Sequence, residues 1–186
     1  MADTPPAEWA LTKWSDAAQV LEQIGEDTEA AAPGEAPAAY CRRLIERGKL
    51  AEATAFVAHA LPRFECIAWA GRGLLDHGGA ARSDPLMIAV LRWIDNPGDA
   101  NRRAAMQAAD AAPGDSPARL LALAVFLSGG SLSEPELPAV LPPSHVAAKL
   151  ASAALVKAAY ASAAPGETLG RMVDRGVALA QQGRFA

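Results

Sequence analysis

Apolar residues recur three and four positions apart over most of this chain, the spacing that places them on one face of an α-helix. The first such segment follows Ser15, which is expected to cap the helix. Its apolar positions are Ala17, Val20, Leu21 and Ile24. Residues 37–47 and 49–60 repeat the pattern on either side of Gly48, the expected end of the second helix. The pattern predicts three helices before residue 61.

The fourth predicted helix, LPRFECIAWAGRGLLDHG at residues 61–78, carries a polar stripe opposite a broad apolar face. The stripe consists of Glu65, Trp69, Arg72 and Asp76. We interpret it as a solvated edge, with Arg72 paired to Asp76 and stacked on Trp69. The alternative is an interface in which an exposed Trp69 anchors a partner protein. Acid–base chemistry is disfavoured because Glu65 and Asp76 lie ~16 Å apart along the axis, beyond the carboxylate spacing of glycosidases.

The second half of the chain predicts further helices and one long loop. Asp84-Pro85 begins a largely apolar helix that runs to Asp95, and Asp99 is expected to cap an outer helix. Ser116-Pro117 begins a helix that is apolar all round, which predicts a central position in the core. The last two helices are predicted at residues 144–162 and near the C-terminus. The final helix is expected to bury Leu169, Met172, Val173, Gly176, Val177 and Ala180.

The loop, SGGSLSEPELPAVLPPS at residues 128–144, contains four prolines. Loops of this length are uncommon in compact domains. Small apolar residues recur along it, namely Leu132, Leu137, Val140 and Leu141, and they predict an extended strap along the surface. The alternative is a proline-rich ligand for a partner's groove, presented by Leu137, Pro138 and Pro142.

The predicted fold is all-α, a compact bundle of about eight or nine antiparallel helices. The segment GEDTEAAAPGEAP at residues 25–37 is acidic and rich in Gly and Pro, which indicates an exposed linker. We therefore predict an N-terminal helix and linker at residues 1–36, followed by a single helical domain at residues 37–186. Alanine dominates an apolar half of the 186 residues, which also favours helices.

Charge and hydropathy exclude several classes of partner. The net charge of −4 and the pI near 5.4 disfavour nucleic acid, whose binders carry a basic face. Two arginine pairs, at positions 42–43 and 102–103, are expected to be solvated helix surface. The N-terminus holds Asp3 and Glu8 and no continuous apolar segment, so it predicts no signal peptide. We expect no membrane partner and a cytoplasmic location.

The residues that most often perform chemistry form no recognisable motif. The two cysteines, Cys41 and Cys66, lie in helical patterns and are expected to be buried free thiols. A nucleophilic Cys66 would need a nearby base such as His59 or His77. The histidines lack metal-ligand spacing, and no phosphate-binding glycine loop is present. We expect neither a metal, a cofactor nor an enzymatic activity.

Three segments together carry a family resemblance: HALPRFECIAWA, NRRAAMQAAD and LALAVFLSGGSL. In this order and spacing, from about Leu44 to the C-terminus, the chain resembles an uncharacterised family of bacterial helical proteins associated with type VI secretion gene neighbourhoods. That family favours a second Arg and a second Trp where this chain has Phe64 and Ala68. It has no assigned catalytic residues. The resemblance implies an accessory role in secretion.

The leading hypothesis is a non-enzymatic protein-binding module, such as an adaptor, chaperone or accessory protein of a type VI secretion system. Its partner would be a secretion component, or a toxin if the chain is instead an immunity protein with an occluding acidic surface. The third hypothesis is a small-molecule enzyme, which a deep pocket holding Cys66 or His77 would favour. The sequence leaves the oligomeric state open.

Overall fold

A computed structural model describes residues 8–25, 29–134 and 136–183 of the chain. Within these ranges the chain forms nine α-helices and no strand, which confirms the all-α prediction. Among the described residues, no helix is both long enough and apolar enough to cross a bilayer. In chain order the helices are α1 (Ala17–Ile24), α2 (Pro37–Glu46), α3 (Leu50–Ala60), α4 (Arg63–Asp76), α5 (Pro85–Asp95), α6 (Asp99–Ala111), α7 (Pro117–Phe126), α8 (Val146–Tyr160) and α9 (Pro165–Gln182).

The core forms around α7 and α8, which pack along one another. The predicted central position of α7 is confirmed, because it also contacts α4, α5 and α6. On the other side of the core, α8 contacts α3, α4 and α9. Both central helices bury mostly small alanine side chains, which allow neighbouring backbones to approach closely.

Two helix starts differ from the sequence prediction. The cap of α1 is Asp16 rather than Ser15: its carboxylate accepts from the amide of Ala18 at 2.7 Å. Gln19 completes the capping box by accepting from the amide of Asp16 at 3.3 Å. Asp99 is the first residue of α6 and not its cap, which is Gly98. The carboxylate of Asp99 is instead occupied by arginines of the next turn.

The N-terminal segment shares the core of the remaining helices. Trp9 is buried and lies 6.2 Å from the ring of Phe56, and α1 packs on α3. The described part of the acidic linker, residues 29–36, is mostly exposed, as predicted, but ion pairs hold it against α2. Its Glu29 and Glu35 both pair with Arg43 of α2. The domain boundary at residue 36 stays a prediction. Buried residues before and after it belong to the same hydrophobic core.

The second arginine pair is not solvated surface, because Arg102 is only 4% exposed. Its guanidinium donates to the carbonyls of Phe126 and Ser131, both at 2.7 Å, and to Asp99 at 2.6 Å. Arg103 adds a bond to the carbonyl of Ser133 at 2.7 Å. The two arginines therefore fasten the start of the long loop to α6.

The C-terminal helix follows the predicted pattern with one exception. Val177 is only half-buried, whereas Leu179, which the sequence analysis did not include, is buried. The other five predicted positions of α9 are buried as expected.

Candidate functional site

A groove with a volume of about 490 Å³ runs along α4 between α5 and α9. Both flanking helices pack on α4, so that α4 forms the floor and the other two form the walls. Apolar side chains dominate the lining, and arginines provide its charge. The lining residues are Ala68, Trp69, Arg72, Leu75, Arg82, Leu91, Ile94, Arg175, Ala178, Leu179 and Gln182.

Trp69 forms part of the floor and is buried, with 2% of its surface exposed. Its Nε1 donates to the backbone carbonyl of Met172 in α9 at 2.8 Å. The prediction that Trp69 lies exposed on a solvated stripe is therefore wrong. The physical reason is that α9 crosses this side of α4, which no periodicity within residues 61–78 indicates.

Gly176 explains how α9 comes so close to the indole. A Cβ at this position would lie 2.7 Å from Cε2 of Trp69 and 2.7 Å from Cγ1 of Val57. Only a residue without a side chain fits there unless the neighbours move. The contact between Trp69 and α9 thus fixes the wall of the groove relative to its floor.

The charged rim of the groove consists of arginines from three elements. Arg72 of α4 donates through Nε to Asp76 at 2.9 Å, as the sequence predicted. Arg175 of α9 pairs with the same carboxylate, and Arg82 comes from the segment between α4 and α5. A guanidinium has five donors, so Arg72 and Arg175 keep donors that Asp76 does not use.

The neighbouring arginines lower the pKa of the Asp76 carboxyl group. Its partial burial raises the pKa, but hydrogen bonds and charge from Arg72 and Arg175 outweigh that effect and leave the pKa below its ordinary value. The carboxylate is therefore ionised at neutral pH and neutralises part of the rim. One carboxylate against three arginines leaves the groove basic in a chain whose net charge is −4.

Of the four stripe residues, Trp69 and Arg72 line the groove, and Asp76 is connected to it through its ion pairs with Arg72 and Arg175. Glu65 is half-buried and does not line it. Phe64, in the first turn of α4, is 36% exposed and packs against the ring of Trp93 with centroids 5.8 Å apart.

The long loop folds differently from the predicted strap. The amide of Leu132 donates to the carbonyl of Val140 at 2.8 Å, so the loop doubles back on itself. Leu137 and Leu141 are 60% and 71% exposed and therefore do not pack on the surface as a strap would require. Pro138 is exposed and Pro142 half-buried, and none of these residues lines the groove. The role of Leu137, Pro138 and Pro142 in partner binding stays a prediction.

Sequence reasoning missed most of the groove walls. Arg82, Leu91 and Ile94 come from the loop before α5 and from α5, and Arg175 with Leu179 from α9. Arg82 lies in a turn, and each of the other four has an ordinary position in its own helix pattern. Only the packing of α5 and α9 on α4 brings them together, and the sequence carries no local signal for it.

The two cysteines are buried as expected. Burial raises the pKa of both thiols to about 12, so each is protonated at neutral pH. Among the described residues, no group of three or more histidine, cysteine or carboxylate side chains is arranged to hold a metal ion. The features of the groove that could recognise a ligand are therefore its shape, its apolar surface and the charge of its arginines.

Comparison with known proteins assigns the chain to a family. Residues 40–180, well over half of the chain, match the sequence profile of a family of unknown function, DUF6931. The chain belongs to this family. The matched range covers α3 to α8 entirely, most of α2 and nearly all of α9, so the whole groove lies within it, apart from Gln182 at the end of α9. No curated protein and no solved structure gives a significant match.

Proposed function

We propose that this DUF6931 protein is a non-enzymatic binding module whose groove takes an acidic, amphipathic helical segment of a partner protein. The observation that carries the proposal is the combination of an apolar floor with a basic rim in an acidic chain. Apolar side chains of a partner helix would fill the groove, and its carboxylates would pair with Arg72, Arg82 and Arg175.

The dimensions of the groove suit this mode of binding. The lining residues of α4 extend from Ala68 to Leu75, which corresponds to two helical turns or about 10 Å. A partner helix presents its anchors at positions i, i+3 or i+4 and i+7, which cover a similar length. The walls contribute Leu91 and Ile94 on one side and Ala178 with Leu179 on the other.

The biological setting follows from the family resemblance and remains part of the proposal. The partner is a component of a type VI secretion system, and the chain acts as its adaptor, chaperone or accessory in the cytoplasm. The basic rim supports this role over that of an immunity protein, which was expected to occlude a toxin with an acidic surface. The protonated thiols support a non-enzymatic role, because neither cysteine is an activated nucleophile.

The experiment that tests the proposal compares two charge-reversed proteins as baits in native host lysate. One carries Arg72→Glu and Arg175→Glu in the groove. The other carries Arg92→Glu and Arg171→Glu, which change the net charge equally at exposed positions of α5 and α9 outside the groove. A partner that binds the wild type and the control but not the groove variant supports the proposal. A partner retained equally by all three baits contradicts it.

A further inference from the structure

The long loop exposes apolar side chains at residues 136–141, a segment that we call the loop tip. Leu137, Val140 and Leu141 are 60%, 55% and 71% exposed. They are three of the six large apolar side chains that are exposed in the described part of the chain. Apolar side chains gathered at one place on a surface often mark an interaction site, whereas single ones need no explanation.

The backbone around the loop tip is ordered by hydrogen bonds. The amide of Leu132 donates to the carbonyl of Val140 at 2.8 Å, and the amide of Val140 donates to Oγ of Ser131 at 3.2 Å. Arg102 and Arg103 fasten the first residues of the loop to α6. Because this backbone is already ordered, docking of the loop tip costs less conformational entropy than docking of a free segment would.

The loop is also acidic. Residues 128–144 contain Glu134 and Glu136 and neither lysine nor arginine. Both carboxylates are exposed, and neither forms an ion pair within the described ranges. The negative charge disfavours contact with a membrane surface, because membrane lipids are themselves anionic. It favours a protein surface that is both apolar and basic.

The groove along α4 has this complementary character. Leu75, Leu91 and Ile94 in its lining are half-buried, so part of their apolar surface is uncovered. Its rim provides three arginines, and no carboxylate belongs to its lining. The chain therefore carries an acidic apolar projection and a basic apolar groove on the same molecule.

The dimensions of the two surfaces agree. Leu137 and Leu141 are four residues apart, which limits the separation of their Cα atoms to about 14 Å. The floor of the groove extends over about 10 Å, so both leucines can lie along it. No described residue of the loop lines the groove of its own chain. The loop tip of one copy and the groove of another are therefore both uncovered in the single chain.

We propose that the loop tip docks in the groove of a second copy of this chain. Leu137 and Leu141 contact the apolar floor, and Glu136 pairs with the arginines of the rim. This inference rests on the proposed function, because both require that the groove binds acidic apolar segments. The contact is heterologous, since each copy offers its loop to one neighbour and its groove to another. A copy whose groove is occupied cannot bind the partner protein, so self-association regulates access to the groove.

Sedimentation velocity of the full chain at low ionic strength provides the first test. The weight-average mass should rise between about 10 μM and 1 mM, the range expected for a contact of small area. It should fall again when salt is added, because salt screens the ion pairs between Glu136 and the rim.

A loop variant with Leu137→Ser and Leu141→Ser connects association to the loop tip. Association should weaken by at least about tenfold, because neither position can then bury an apolar side chain in the groove. Both positions are exposed, so the fold is unaffected. Tyr160→Ser in α8 is the matched control: Tyr160 is 68% exposed, lies outside the loop and the groove, and should not affect association.

A mixing experiment identifies the two sides of the contact. The loop variant keeps an intact groove, and the groove variant with Arg72→Glu and Arg175→Glu keeps an intact loop. Neither should associate alone, but their equimolar mixture should form a complex of two copies that does not grow further. If the groove variant does not fold, the loop variant still serves, because it should bind one end of associated wild-type chains and lower their mean mass.

Three results would overturn the inference: a mass of one copy at all concentrations, unchanged association of the loop variant, or a mixture that contains only single copies. These differ from a failure of the proposed function. If copies stay separate while capture of a partner still depends on Arg72 and Arg175, only the inference of self-association is wrong. If wild-type copies associate through loop and groove but the loop variant, whose groove is free, captures no partner, only the proposed function is wrong.

Discussion

The indole of Trp69 in α4 donates its N–H to the backbone carbonyl of Met172 in α9, across 2.8 Å and 103 positions of sequence. This bond and the close approach at Gly176 join the floor of the groove to one of its walls. A residue that the sequence suggested as a partner anchor is thus a structural anchor within the chain. The arginines above it, and not the indole, are the groups available to a partner.

Replacement of Trp69 should therefore affect stability first. Trp69→Ala removes a buried ring and leaves a cavity, so the free energy of unfolding should fall by about 3–5 kcal/mol. Trp69→Phe keeps most of the apolar contact but loses the bond to Met172 and should cost about 1–2 kcal/mol. Urea denaturation followed by circular dichroism measures both. Unchanged stability of Trp69→Ala would mean that the indole is exposed and would restore the interpretation of Trp69 as an interface anchor.

Gly176 and Gly170 provide a matched pair within α9. Gly176→Ala places a methyl group 2.7 Å from both Trp69 and Val57 and should cost about 1–3 kcal/mol through overpacking. At Gly170 a Cβ would be 3.9 Å from Leu50, an ordinary contact. Gly170→Ala should therefore stabilise the protein by about 0.5–1 kcal/mol, because alanine favours the helix. Thermal denaturation of the two variants should move the midpoint in opposite directions, and equal shifts would contradict the packing described for Trp69.

Arg102 should control the attachment of the long loop. Arg102→Lys keeps the charge but cannot reach the carbonyls of Phe126 and Ser131 together, and should cost about 1–3 kcal/mol. Amide hydrogen exchange within residues 128–134 should accelerate in this variant. Arg42→Lys in α2 is the control and should leave exchange in the loop unchanged. Protection that stays the same in Arg102→Lys would show that other contacts hold the loop.

Asp76 should make the stability of the protein depend on pH. Its pKa in the folded state lies below the ordinary value of 3.8, so its contribution is present above that value and is lost as the pH falls through the lower, folded-state pKa. We expect the wild type to be more stable than Asp76→Asn at pH 7 and the difference to shrink as the pH falls below 3.8. The effect is modest because Arg72 and Arg175 are largely exposed. A difference that is constant from pH 7 to acid would show that the ion pairs contribute no stability.

The helices could be predicted from the sequence because each one carries its own apolar period and its own breakers. Gly48 has a φ of 71° and ends the α2 segment as expected, and Ser116 caps α7 by accepting from the amide of Arg119. The cap of α1 was misplaced by one residue because Ser15 and Asp16 are both good caps, and only the bond to Ala18 distinguishes them.

The groove could be predicted only in part. Arg72 and Asp76 are one turn apart in α4, so their pairing is a local property that helical spacing reveals. Arg175 reaches the same carboxylate from α9, 99 positions away, and depends on tertiary packing that no local pattern encodes. The burial of Trp69 has the same cause. A helical pattern indicates which side of α4 is polar but not which neighbouring helix will cover it.

The most direct test of the proposed function is to map what occupies the groove. A photoreactive amino acid at Gln182, an exposed position at the end of α9 that lines the groove, would be cross-linked in native host lysate and the attached peptide sequenced. The proposal predicts a segment with apolar residues at helical spacing and with flanking Asp or Glu. Its capture should be lost with Arg72→Glu and Arg175→Glu, retained with Arg92→Glu and Arg171→Glu, and strengthened by Asp76→Asn, which frees both arginines. A neutral or basic segment, or one captured equally by the groove variant and its control, would contradict the proposed function.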